Sequence, residues 1–141
     1  MKSLLVYPVF FYVIFQFFLV LHLFMGRLKA VQSKQIDGRF FIDYKNGELP
    51  KNLQLVSRAF DNQFQVPILF FITVLFLITL KIDHSPVAII CSWVFVISRL
   101  FHFYFHAIKG TVVGRYRTYA LGWLMVVILW VNILINNLQM T

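Results

Sequence analysis

Apolar residues in this chain do not alternate with polar ones; they come in long runs separated by short polar stretches. Leu4 to Met25 is interrupted only by Pro8, Gln16 and His22. About 20 apolar helical residues cross a hydrocarbon layer of about 30 Å, so this run predicts a spanning helix over about 4–25. It is too long for the core of a cleaved signal peptide, and Gly26-Arg27 offers no small-residue cleavage pattern. The next stretch, about 26–51, is polar, carries Gly38, Gly47 and Pro50, and reads as a long loop. A second span is predicted over about 52–80, with the uncharged run Val66 to Leu80 and a kink at Pro67. Lys81 to Ser85 reads as a tight hairpin, with Ser85 as N-cap and Pro86 at the first helical position. A third span follows over about 86–107, broken by Lys109, Gly110 and Gly114, and a fourth over about 118–138. The predicted fold class is an all-α membrane protein, a bundle of four transmembrane helices forming one domain over 1–141.

Composition supports the same class. Apolar residues make up 60% of the chain and charged residues 13%, against about 45–50% and about 25% in soluble domains. With 17 Phe, 6 Tyr and 3 Trp, the aromatic surface exceeds what a small soluble core hides. Four spans consume roughly 80 residues, which leaves no room for a second domain. The lone cysteine, Cys91, excludes a disulfide framework and a Cys-rich metal site.

The placement of charge predicts orientation. Of the 13 basic residues, Lys2 and Lys81 fall on one side of a four-span chain and Arg99 inside span three. The remaining ten fall on the other side, in the two loops that follow spans one and three. By the positive-inside rule those loops are cytoplasmic and both termini are not. The net charge of +8 therefore needs no nucleic acid to explain it.

Two polar stripes lie where lipid should be. Arg58, Asn62 and Gln65 share one face of a regular helix, as do Arg99, His102, His106 and Lys109. Counted from the hairpin at 1.5 Å per residue, Gln65 and Arg99 are level at roughly 20–22 Å, and Arg58 and His106 at roughly 30–33 Å. Intramembrane ionisable groups face a bundle interior or a wet cavity, and only Asp61 is near enough to neutralise these. The stripes read either as interhelical hydrogen-bond glue or as a site for an anion that brings its own carboxylates or phosphates. Asn132, Asn136 and Asn137 in span four read as glue. Arg115 extends the anion argument, Arg117 reads as an interfacial anchor, and Tyr116 and Tyr119 fit either an aromatic belt or the site. His102 and His106 have the spacing of a metal pair, but no carboxylate or Cys shares their face, so no metal is expected.

The segment Arg58-Ala-Phe-Asp-Asn62-Gln-Phe-Gln65-Val-Pro67 resembles the R-A-x-x-N-x-x-E signature of membrane-associated proteins in eicosanoid and glutathione metabolism (MAPEG). Asn62-Gln-Phe-Gln-Val-Pro-Ile-Leu-Phe-Phe is similar to the N-x-F-E-x-P-V-L-F-Y pattern of a bacterial branch. Arg99-Leu-Phe-His102-Phe-Tyr-Phe-His106, followed by Arg115, resembles the family's third-helix motif R-x-x-H/Y-x-x-x-Y and the Arg that opens its fourth helix. The resemblance implies a homotrimer that holds glutathione between subunits as co-substrate. Arg58, Asn62, Gln65, Arg99, His102 and His106 fall on its glutathione contacts, and Arg115 on the residue that activates the thiol. A nearby Arg favours the reactive thiolate. Two positions depart from the pattern: Gln65 keeps the shape of the family Glu without its charge, and His106 replaces a Tyr.

These readings lead to a membrane glutathione-dependent transferase or peroxidase acting on a lipophilic electrophile that enters from lipid. The alternatives are a non-catalytic MAPEG-like protein that binds a lipid headgroup or other anion in the same basic pocket, and a purely structural bundle.

Overall fold

The computed structural model describes residues 2–43 and 48–139; Lys45 and Gly47 of the predicted loop lie outside the described residues. Among the described residues, four stretches are long and apolar enough to cross a membrane: Val6–Gln32, Lys51–Thr79, Pro86–Ile108 and Val112–Gln139. The first is one helix, α1 (Val6–Gln32). After the single turn α2 (Phe40–Asp43), the second stretch is built from α3 (Lys51–Asp61), a 3₁₀ turn (Asn62–Phe64) and α4 (Val66–Thr79). The third is α5 (Pro86–Phe103) continued by a π-helical turn (Tyr104–Ile108), and the fourth is α6 (Val112–Gln139).

Helix ends differ from the sequence expectation for physical reasons. α1 runs past Met25 to Gln32, about 40 Å in all, so the polar connection is shorter than 26–51. Gly26 does not end the helix. It marks a close approach to α3, where a β-carbon would lie 3.0 Å from Leu53 Cδ1. The actual stop is a Schellman motif: Lys34 takes φ 56°, its N–H reaches Val31 O, and Gln35 N–H reaches Ala30 O. α4 ends the same way, with Lys81 at φ 58° bonded to Ile78 O and Ile82 N–H to Leu77 O. Ile82 and Leu77 are both buried, the apolar contact that usually accompanies this motif.

The hairpin thus closes as expected, and Pro86 opens α5. Ser85 stands at the N-cap but makes no side-chain cap bond; its hydroxyl lies 3.5 Å from Asn132 Oδ1 instead. α6 begins at Val112, well before 118. Gly114, expected to break the chain, is inside the helix, where a β-carbon would sit 2.7 Å from the Phe105 ring.

The main apolar cluster joins α1, α4, α5 and α6 around Tyr12, Phe70, Phe95 and Leu129. Phe70 and Phe95 stack with ring centroids 4.2 Å apart. A second cluster packs the lower part of α1 on α3 through Leu23, Ala30, Leu53 and Val56. Most remaining large apolar side chains point outward, as a lipid-facing surface requires. The expected break before Pro67 is a change of helix type. Gln65 has φ −85° and ψ −81°, and Pro67 sits in the first turn of α4, where its missing N–H costs nothing.

Candidate functional site

That break redirects the span-two stripe. Across the 3₁₀ turn the rotation per residue rises from about 100° to about 120°, so the regular-helix spacing of 58, 62 and 65 no longer holds. Arg58 and Asn62 face a shared cavity, whereas Gln65 is exposed on the outside of the bundle. Gln63 is buried in its place. It accepts from Tyr12 OH through Oε1 at 2.7 Å, and its backbone carbonyl accepts from Gln16 Nε2 at 3.3 Å. The polar interruption of span one is therefore a tie to the 3₁₀ turn.

The cavity has a volume of about 550 Å³, within the usual range for small-molecule sites. Arg58, Asp61 and Asn62 line it from one side, His102 and His106 from the α5 side, and Val112, Arg115, Tyr116 and Tyr119 from α6. Five of the seven expected site residues thus meet around one space: Arg58, Asn62, His102, His106 and Arg115. Gln65 and Arg99, also expected at the site, do not line this cavity. Arg99 is sealed in the protein at 0% exposure.

Hydrogen bonds fix the inner wall. His102 Nδ1 lies 3.0 Å from Arg115 O, which has only lone pairs to offer, so Nδ1 carries the proton. His102 Nε2 is buried without a partner among the described residues. Arg115 Nη1 lies 3.3 Å from His106 Nε2, and because a guanidinium only donates, this nitrogen is the acceptor of a neutral imidazole. His106 Nδ1 is buried without a hydrogen-bond partner among the described residues, and the Leu55 backbone lies close to the ring. The π turn carries His106 toward the cavity; such turns often occur at functional sites.

Sequence reasoning passed over Thr118. Its hydroxyl lies 2.9 Å from Gly114 O, 3.1 Å from Arg115 O and 3.4 Å from His102 Nδ1, locking the start of α6 to α5. Nothing in a lone Thr at the head of an apolar run signals this. A larger space of about 750 Å³ opens between α1, α3 and the π turn, but apart from His22 and Asn52 its lining is almost wholly apolar. The charged side chains are in the smaller cavity.

The fold and site define a multi-pass membrane bundle with a basic, partly unsatisfied cavity at one end. The MAPEG family model matches residues 5–135, and the chain belongs to that family. No curated protein and no solved structure matches the chain.

Proposed function

We propose that this protein is a glutathione-dependent transferase or peroxidase acting on lipophilic electrophiles from the surrounding membrane. The observation that carries the reading is the cavity itself, where two guanidiniums, two imidazoles and an amide converge with a single carboxylate, Asp61. Glutathione offers two carboxylates for Arg58 and Arg115, an ammonium for Asp61, and peptide groups for Asn62 and the imidazoles. Asp61 does here what the family Glu does elsewhere, because Gln65 is uncharged and points away. Bound glutathione supplies a thiol that reacts as thiolate, and Arg115 favours that form by placing a positive charge beside it.

In the transferase step the sulfur lone pair forms a C–S bond while the leaving group or conjugated double bond takes the displaced electrons. In the peroxidase step the thiolate sulfur attacks the terminal peroxide oxygen, the O–O bond breaks, and the departing alkoxide takes a proton from water to leave as the alcohol. A second glutathione then converts the sulfenic product to disulfide and water.

The positive-inside bias puts the connections after α1 and after the π turn on the cytoplasmic side. The same reading has the protein work as a homotrimer.

A second reading, a non-catalytic pocket for a lipid headgroup or other anion, is favoured by the exposure of Gln65. Glutathione titration of the detergent-purified protein, followed by thiolate absorbance, separates the two. The enzyme reading expects binding with a thiolate signal that Arg115→Ala removes, and an absence of binding at millimolar glutathione overturns it. Binding without a thiolate signal, unaffected by Arg115→Ala, supports the anion pocket.

A further inference from the structure

Arg99 is the bulkiest fully buried side chain among the described residues, and no carboxylate is bonded to it. Its Nη2 donates to Thr118 O at 2.8 Å and to Tyr119 O at 3.2 Å, and its Nε to Ser98 Oγ at 3.4 Å. The guanidinium carbon lies 5.4 Å from the Phe95 ring centroid and 5.5 Å from that of Tyr119. Its remaining nitrogen, Nη1, is buried and unbonded, away from the cavity surface.

Thr118 O and Tyr119 O belong to the interior of α6, where each carbonyl already accepts from the amide one turn later. A side chain at position 122 would cover them. That position is Gly122, and a β-carbon there would fall on Arg99 Nη2 and lie 2.7 Å from Cζ. The missing side chain leaves a socket in α6, and the guanidinium fills it.

We propose that Arg99 is a positioning residue: plugged into the Gly122 socket, it holds the opening turns of α6 against α5 and so presents Arg115, Tyr116 and Tyr119 to the cavity without touching the ligand. His102 and His106 continue the same seam one and two turns along, on the backbone and side chain of Arg115. The effect on glutathione rests on the function proposed above; the plug itself does not.

Hydrogen–deuterium exchange on the full-length protein in detergent, with parallel glutathione titration, tests this. Gly122→Ala changes no cavity residue, but its methyl group displaces the guanidinium. It is expected to speed amide exchange over residues 112–119 on the order of tenfold, the loss of a charge-assisted hydrogen bond, and to leave α4 unchanged. It should also weaken the thiolate signal. Arg99→Met is expected to do the same, and the double variant to be no worse than either single one, since both break one contact. Additive effects overturn the proposal. So does unchanged exchange with lost glutathione affinity in Arg99→Met, which would make Arg99 a direct contact. If Gly122→Ala fails to fold, Arg99→Lys, which keeps the charge but loses the planar fork, reads the same segment. If the wild type binds no glutathione, the exchange data still decide the plug, and only the enzyme reading falls.

Discussion

At the hairpin end of the bundle, Asn136 Nδ2 donates to Asn132 O at 2.7 Å and to Asn132 Oδ1 at 3.1 Å, with the Ser85 hydroxyl alongside. At the opposite end, Arg58, His102, His106 and Arg115 surround about 550 Å³ of open space. In sequence both groups are polar residues at helical spacing inside apolar runs. One set bonds within α6 and to its neighbouring turn, leaving only Asn132 Nδ2 buried without a partner among the described residues, and Asn137 is simply exposed. The other ties Arg115 to both imidazoles, yet still gathers two guanidiniums and a carboxylate around a cavity and leaves two imidazole nitrogens without a partner among the described residues. Neutral amides can pair with the nearest backbone, so they stabilise packing. Two guanidiniums cannot pair with each other, and with Asp61 as the one carboxylate among the described lining residues the cavity keeps an excess of positive charge that suits an anion.

The contrast is tested most severely by Arg115→Ala. Losing a charge-assisted contact is worth about 1.5–3 kcal/mol, so glutathione affinity is expected to fall about ten- to a hundredfold in the absorbance titration. Asp61→Asn removes the only carboxylate lining the cavity among the described residues and is expected to weaken glutathione several-fold, with little change for glutathione analogues that lack the amine. Gln65→Glu, which restores the family residue at an exposed position, should alter affinity less than either; a large gain would return Gln65 to the site. Thr118→Val takes away a hydroxyl that holds α6 to His102, and a loss of about 0.5–1.5 kcal/mol is expected in chemical denaturation. Asn132→Leu should cost the least, about 0.6 kcal/mol, with glutathione binding unchanged. Lost binding in that last variant would erase the distinction between the two ends.

The existence of four spans was legible because length and apolarity alone require them. Their ends were not, because α1 and α4 stop at lysines in left-handed conformation, where sequence rules look for glycine. Conversely Gly26, Gly114 and Gly122 punctuate nothing: each makes room for a neighbour, Leu53, Phe105 or Arg99, known only from the packing. The span-three stripe was legible in part: α5 stays regular as far as Phe103 and keeps Arg99 and His102 on one face, but His106 reaches the cavity through the π turn and Lys109 is exposed. The span-two stripe was half legible, because the 3₁₀ turn before Pro67 carried Gln65 off the face that Arg58 and Asn62 define. Arg99 was found by its charge, but its role was hidden, because the carbonyls it bonds have no signature in the sequence.

The lysine at the α4 stop also sets a level. Lys81 is exposed, fixed by backbone geometry at the tip of a five-residue turn, and carries an ammonium that resists entering hydrocarbon. The α4–α5 pair therefore cannot slide inward past it. Since α5 runs unbroken from Pro86 to His102, the turn stands roughly 24 Å from the near wall of the cavity and so bears on how deep that wall lies. An inserted helical turn in both α4 and α5 would leave every contact at the site intact and still move its opening by about 5 Å relative to the lipid headgroups.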